Sequence, residues 1–215
     1  MSWLTHFRFQ WKKFFGKRSK NKYLILTDNE IAFVVYKGDL SKYNLRKGRE
    51  FSQEELDAFV SEVILPRGKR RSLYLLGARE YSCKGMRDKL RQDGYPDFCI
   101  NEIMEFLKCN RYIDDERYAK AFIRTYSGNQ SVSRLKNNLR QKGISEECIE
   151  SSLEDLASSG DLPSQEALVR QMLRKKNYKG YNTDRKEYER IFSYLLRKGF
   201  SSELIRRCMR EDSGE

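Results

Sequence analysis

One short pattern occurs three times along this chain and restricts its fold more than any other feature. Gly94–Tyr95 is followed by Cys99–Ile100, Gly143–Ile144 by Cys148–Ile149, and Gly199–Phe200 by Leu204–Ile205. Each copy follows a basic amphipathic stretch, over residues 86–92, 135–141 and 191–197. Gly94, Gly143 and Gly199 stand 49 and then 56 residues apart. A supersecondary unit reused at a nearly fixed period builds a stacked array, and an array offers an extended surface rather than a catalytic cleft. The chain therefore reads first as a binder of something long.

Apolar periodicity, caps and glycines resolve the chain from Ser72 onward into three helices per unit. The expected spans are Leu73–Glu80, Lys84–Gln92 and Asp97–Cys109 in the first unit. In the second they are Asp115–Tyr126, Val132–Gln141 and Glu146–Ala157, and in the third Gln165–Lys175, Arg185–Arg197 and Ser202–Arg210. Gly94, Gly143 and Gly199 fall where a left-handed residue closes each second helix. Ser145 and Ser201 are expected to cap the third helices, with Pro96 in the matching place. Asp114 and Asp115 open a helix with acids in its first turn, which the macrodipole favours. The expected cores are Met86, Leu90, Ile100, Met104 and Leu107, then Leu135, Leu139, Ile149, Leu153 and Leu156.

The first third of the chain is different. Residues 1–22 hold seven lysines and arginines, no acid, and the aromatics Trp3, Phe7, Phe9, Trp11, Phe14 and Phe15. Alternation at Phe7, Phe9 and Trp11 suits a strand; Trp11, Phe14 and Phe15 suit one face of a helix, and both readings stand. Tyr23–Leu26 and Ile31–Tyr36 are β-rich runs around a turn at Thr27–Glu30, a hairpin signal. Ser52 and Glu55 form a capping box, opening a helix expected to stop before Pro66. The basic run Arg67–Arg71 reads as a linker. The fold class is thus mainly α: tandem three-helix units of helix-turn-helix type, elongated, after a small β-hairpin and helix region. The expected domains are an arm at 1–21, the hairpin and helix at 22–66, and repeats at 72–110, 111–160 and 161–211.

The net charge of +12 favours an acidic partner: nucleic acid, an anionic membrane surface or an acidic protein. Five cysteines without a C-x-x-C fit small buried hydrophobes in a reducing cytoplasm rather than a disulfide framework. Cys99 and Cys148 sit at equivalent positions beside an isoleucine. One histidine in the chain excludes a histidine metal cluster or triad. No apolar run approaches the roughly 18 residues of a membrane span.

No phosphate loop, dinucleotide fingerprint, zinc-protease or nucleophile-elbow motif occurs. No catalytic residue, metal or cofactor is expected. The repeats carry a different signal. Arg87 and Arg91 lie four apart, off the Met86/Leu90 face, and Lys136 and Arg140 repeat the arrangement. Like charges at that spacing oppose an isolated helix by roughly 0.2–0.5 kcal/mol. Keeping the pair twice points to contact with phosphates or an acidic groove, against the plainer reading of a solvated face. In the third repeat the pair becomes Phe192 and Leu196. That repeat keeps Arg174, Lys175, Lys176, Arg185 and Lys186, and residues 175–181 interleave charge with aromatics, as single-strand binders do.

The run Tyr112-Ile113-Asp114-Asp115-Glu116-Arg117-Tyr118-Ala119 resembles the RecX family of bacterial recombination regulators. Gly94-Tyr95-Pro96 precedes it and Leu139 to Glu147 follows it, in keeping with that family. Tyr43–Gly48 with Ser52–Leu56 resembles its longer Gram-positive-type members. The resemblance spans roughly residues 22–208. It implies tandem three-helix units, and it implies binding to the RecA protein in its filament on single-stranded DNA, with mainly inhibitory effects on recombination, DNA repair and the SOS response. It implies a cytoplasmic monomer that contacts single-stranded DNA indirectly or weakly. Gly85 and Asn138 stand where the family usually has an acid, and residues 1–21 do not look like the family. A nucleic-acid-binding protein that uses its helix-turn-helix-like units without RecA is the alternative, and a membrane-bound arm is a third.

Overall fold

The computed structural model describes residues 7–8, 10–13, 22–26, 32–46 and 49–211. The chain divides into two units, Met1–Asp114 and Asp115–Glu215. In the first, strands β1 (Phe7–Arg8), β2 (Gln10–Lys13), β3 (Lys22–Leu26) and β4 (Ala32–Tyr36) come first. β2, β3 and β4 form an antiparallel sheet, with Tyr23 opposite Val35 and Ile25 opposite Phe33. β5 (Glu50–Phe51) pairs with β1. The predicted hairpin is β3–β4, and Gln10–Lys13 adopts the strand alternative. The Thr27–Glu30 turn lies outside the described residues, as do Trp3, Phe9, Phe14, Phe15 and Gly48.

Ile25, Phe33 and Val35 are fully buried at the period of two that puts one face of a strand inward. They share one core with Met86, Leu90, Ile100, Met104 and Leu107 of the first repeat and with Ile113. The hairpin region and the first repeat, separate segments in the sequence reading, are thus packed together. Helix α1 (Lys37–Lys42) follows β4, and α2 (Gln53–Phe59) opens with the expected capping box: Glu55 N–H donates to Ser52 Oγ at 3.2 Å and Ser52 N–H to Glu55 Oε2 at 3.1 Å.

The linker expected at Arg67–Arg71 is instead helix. A π-helical turn over Val60–Ile64 runs without a break into α3 (Leu65–Ala78). The wider turn accommodates Pro66, whose ring and missing N–H would break a regular helical interior. Gly68, which resembles a breaker in sequence, is a packing device: a Cβ there would lie 2.3 Å from Ile103 Cδ1 on α5. The first helix of repeat one therefore begins at Leu65, not Leu73. Helices α4 (Cys83–Asp93) and α5 (Asp97–Cys109) complete the repeat.

The second unit holds α6 (Asp115–Tyr126), α7 (Val132–Gln141) and α8 (Glu146–Ser158), then α9 (Gln165–Lys175), α10 (Arg185–Arg197) and α11 (Ser202–Glu211). Leu135, Leu139, Ile149, Leu153 and Leu156 are buried together, and the third repeat has its own core around Val169, Leu195 and Ile205. Ser145 and Ser201 cap α8 and α11, as expected. Cys99 is fully buried, and burial pushes its thiol up to about 12. Cys148, its equivalent, is only half-buried, because the smaller core of the second repeat ends there.

Gly94 and Gly199 each do more than close a helix. Both have φ of +91°. A Cβ on Gly94 would lie 2.1 Å from Val34 Cγ2, and Gly94 O accepts the Val34 N–H at 3.1 Å. A Cβ on Gly199 would lie 2.5 Å from Ser131 Oγ and 2.8 Å from Arg134 Cβ, beside a 3.0 Å bond from Ser131 N–H to Lys198 O. Each corner is thus the point where the repeat receives a neighbouring element. Gly160, also left-handed at φ +76°, has nothing within 4 Å of its Cβ position. Gly160→Ala is expected to lose about 1 kcal/mol of stability through backbone strain. Gly199→Ala should lose about 1–3 kcal/mol more through overpacking. Urea denaturation followed by circular dichroism measures both, and equal losses would show that the corner relaxes freely.

Candidate partner-binding surface

The repeated basic pairs reach across from the second helix of a repeat to its third. In the first repeat, Arg91 Nε donates to Asp97 Oδ1 at 2.8 Å and Arg87 Nη1 to Asn101 Oδ1 at 2.7 Å. In the second, Arg140 holds Glu146 with two bonds of 2.7 and 2.6 Å, and Lys136 pairs with Glu150. Asp97 and Glu146 are 49 residues apart, as are Asn101 and Glu150, so the acceptors keep the register of the donors. In the third repeat the register falls on Phe192 and Arg206, where the guanidinium lies 5.6 Å from the ring centroid. The position that is Lys136–Glu150 in repeat two is a cation–π contact in repeat three. The hydrogen bonds from Arg140 hold the Glu146 carboxyl below its ordinary range, and those from Glu146 raise Arg140. These cations staple helices together while their outer edges stay in solvent.

The third repeat differs. Arg185 pairs with Glu189 at 3.1 Å and remains almost wholly exposed; Lys176 lies 4.8 Å over the Tyr194 ring. Arg174, Lys175, Lys186 and Arg210 are exposed, and their side chains have no ion pair or hydrogen bond among the described residues. A cavity of about 690 Å³ between α10, α11 and the segment before them is lined by Tyr178, Arg185, Tyr188, Arg206 and Arg210, with Glu203 the acid among them. Exposed cations beside aromatic rings make this the most anion-receptive part of the second unit.

Tyr112 is exposed against the Phe106 ring, Ile113 is in the core, and Tyr118 packs beside Phe122. Of this run, Ile113 and Ala119 are buried. Asp115 opens α6 as an acid in its first turn.

One stripe was missed by the sequence reading. On α3, Arg67, Arg70, Arg71 and Tyr74 stand at i, i+3, i+4 and i+7, the spacing of one helical face. The spacing is present in the sequence, but Pro66 and Gly68 carry the marks of a break and mask it. Arg67 Nη2 donates to Asp39 Oδ1 at 2.8 Å, and Arg71 Nε to Asp93 Oδ2 at 2.8 Å. Lys89 lies 3.2 Å from the same Asp93. Burial pushes the Asp93 carboxyl up, but hydrogen bonds from Arg71 and Lys89 outweigh it and hold it below its ordinary value of 3.8.

Three family models match along the chain: the first three-helix domain of RecX at residues 69–107, the second at 114–153 and the third at 164–209. The chain belongs to the RecX family. The regulatory protein RecX of Bacillus licheniformis is 27% identical over 93% of this chain and 75% of its own length. That of Bacillus pumilus is 30% identical over 91% and 74%. A crystal structure of RecX from Lactobacillus salivarius is 26% identical, with a TM-score of 0.53 over 68% of this chain and 95% of its own. A second crystal structure of a regulatory protein RecX shares the fold, with a TM-score of 0.56 at 24% identity and coverage of 95% and 99%. RecX relatives carry the name of regulatory proteins, and the three-helix repeats of this chain are the RecX domains. Among the described residues, no helix is long and apolar enough to cross a membrane.

Asp93 makes the stability of the first unit depend on acid. Its folded value is depressed, so below neutrality the native state binds fewer protons than the unfolded one, and its contribution is complete above pH 3.8. That contribution is lost as pH falls through the folded value. Asp93→Asn should flatten this acid limb in urea denaturation run over a pH series. An unchanged limb would show that Asp93 is not its source.

Proposed function

We propose that this protein is a regulator, mainly inhibitory, of the RecA filament on single-stranded DNA, acting in the cytoplasm as a monomer and without chemistry of its own. The observation that carries this reading is the set of three RecX three-helix domains in tandem. The free cations of the third repeat support it: Arg174, Lys175 and Lys186 are exposed and unpaired among the described residues, so they meet an acidic surface without first surrendering an internal partner. Lys176 and Arg185 flank them. Arg87, Arg91, Lys136 and Arg140 are costlier contacts, because each already holds a partner on the next helix. Gly94, Gly143 and Gly199 shape the repeats rather than touch the filament.

The expected repeat limits at 111–160 and 161–211 fit this reading, and the first repeat, expected at 72–110, begins earlier with the helix at Leu65. Binding through three repeats at several points damps the filament by holding adjacent protomers together. Its effects on recombination, repair and the SOS response follow from that. Duplex DNA bound tightly without RecA, with affinity falling steeply as salt rises, would instead favour a plain helix-turn-helix DNA binder.

The test is ATP turnover by RecA pre-assembled on single-stranded DNA, with this protein titrated in. Turnover should fall at substoichiometric protein. Arg174→Glu with Lys175→Glu should shift the titration about tenfold toward higher protein while leaving helical content intact, the loss expected from reversing two exposed interface charges. No fall with the unaltered chain would refute the reading.

A further inference from the structure

The unused stripe on α3 borders a second cavity. It has a volume of about 720 Å³ and lies where the end of β4, α3 and the Gly94 corner meet, all within the first unit. Small-ligand sites run from about 300 to 1,000 Å³. Four cations line it, Lys22, Arg67, Arg70 and Arg71, against the two acids Glu62 and Asp93. Asp93 is already engaged by Arg71 and Lys89.

Two donors in this wall lack an acceptor. Arg67 Nη1 is buried with no hydrogen-bond partner, although Nη2 of the same group holds Asp39. That nitrogen has no exposed surface, so Arg67 lends the wall its charge rather than a free donor. Arg70 is exposed, with no ion pair or hydrogen bond among the described residues. Two flat rings flank these donors. Tyr36, 42% exposed, lies under the Arg67 guanidinium at 4.8 Å; Tyr74, 72% exposed, lies 5.8 Å from that of Arg71. The Tyr95 phenol lines the same wall, and burial pushes it up to about 12, so it keeps its proton as a donor at neutral pH.

We infer that this cavity is a nucleotide site, with a phosphate on Arg70, drawn by the positive wall of Lys22, Arg67 and Arg71, and a base stacked on Tyr74. An oxyanion satisfies the unpaired Arg70 guanidinium. A planar ring uses the exposed tyrosine faces, as successive bases do in single-strand binders. An acidic peptide would meet the cations but leave the rings unused. The nucleotide comes from one of two sources, a single strand or a free nucleoside triphosphate. The inference goes beyond filament regulation and does not depend on it.

The probe is fluorescein-labelled oligo(dT), read by anisotropy with the full-length chain and no RecA. Saturable binding is expected. Displacement by unlabelled oligo(dT) alone assigns the site to a strand; displacement by ATP as well assigns it to the free nucleotide. Tyr74→Ala should weaken binding about tenfold, the share of one stacked base. Arg70→Gln should weaken it several-fold and make the log–log salt slope shallower by about 0.7, one single-strand phosphate. Both side chains are exposed, so the fold survives, and Lys108→Gln, at an exposed lysine that does not line the cavity, serves as the control. Wild-type affinity in both variants would overturn the site, as would equal displacement by inorganic phosphate or poly-glutamate. ATP turnover by the RecA filament, measured on the same variants, separates failure of this site from failure of the regulatory reading.

Discussion

The left-handed glycine that ends the second helix of a repeat is the constraint on which the rest of the structure turns. A helix end leaves carbonyls without partners, and a residue at positive φ lets the chain fold back to satisfy them. Without a Cβ, that corner also lets a neighbouring element come close. Val34 of the sheet uses the opening at Gly94, and Ser131 with Arg134 uses the one at Gly199. The first contact joins the sheet to the first repeat, and the second joins the third repeat to the second. One local device thus performs capping and docking together.

A second rule operates across each repeat. The pair that ties helix two to helix three keeps its register while its chemistry changes: Arg91–Asp97 in the first repeat, Arg140–Glu146 in the second, and Phe192–Arg206 one turn away in the third. Exposed ion pairs of this kind contribute little to stability. Where the third repeat replaces these cross-helix pairs with a ring contact, Arg174, Lys175 and Lys186 stand exposed without ion pairs among the described residues, while Arg170, Arg185, Arg190 and Arg207 keep acidic partners.

Much of this was legible from residues alone. Five of the nine predicted repeat helices match the structure at both ends, and the predicted core residues are buried, because helical periodicity and serine caps are local signals. Two readings failed for one reason. Pro66 and Gly68 carry the marks of a break, yet a π turn accommodates the first and Ile103 packs against the second. With the break assumed, Arg67, Arg70, Arg71 and Tyr74 looked like a charged linker rather than one face of a helix. The paired charges at Arg87/Arg91 and Lys136/Arg140 are visible as a repeat, but that Asn101, Asp97, Glu150 and Glu146 hold them depends on how the following helix packs.

The sequence by itself determined the three-unit organisation, the caps, the apolar faces and membership in the RecX family, since each depends on residues within one or two turns of one another. Only the tertiary structure decided that the hairpin and first repeat share one core, that the repeated cations are internal staples, and that a basic stripe on α3 borders a cavity with an unpaired guanidinium nitrogen. Those facts depend on which distant groups meet, and a charge has no fixed role until its neighbours in space determine whether it is neutralised, stacked or left facing water.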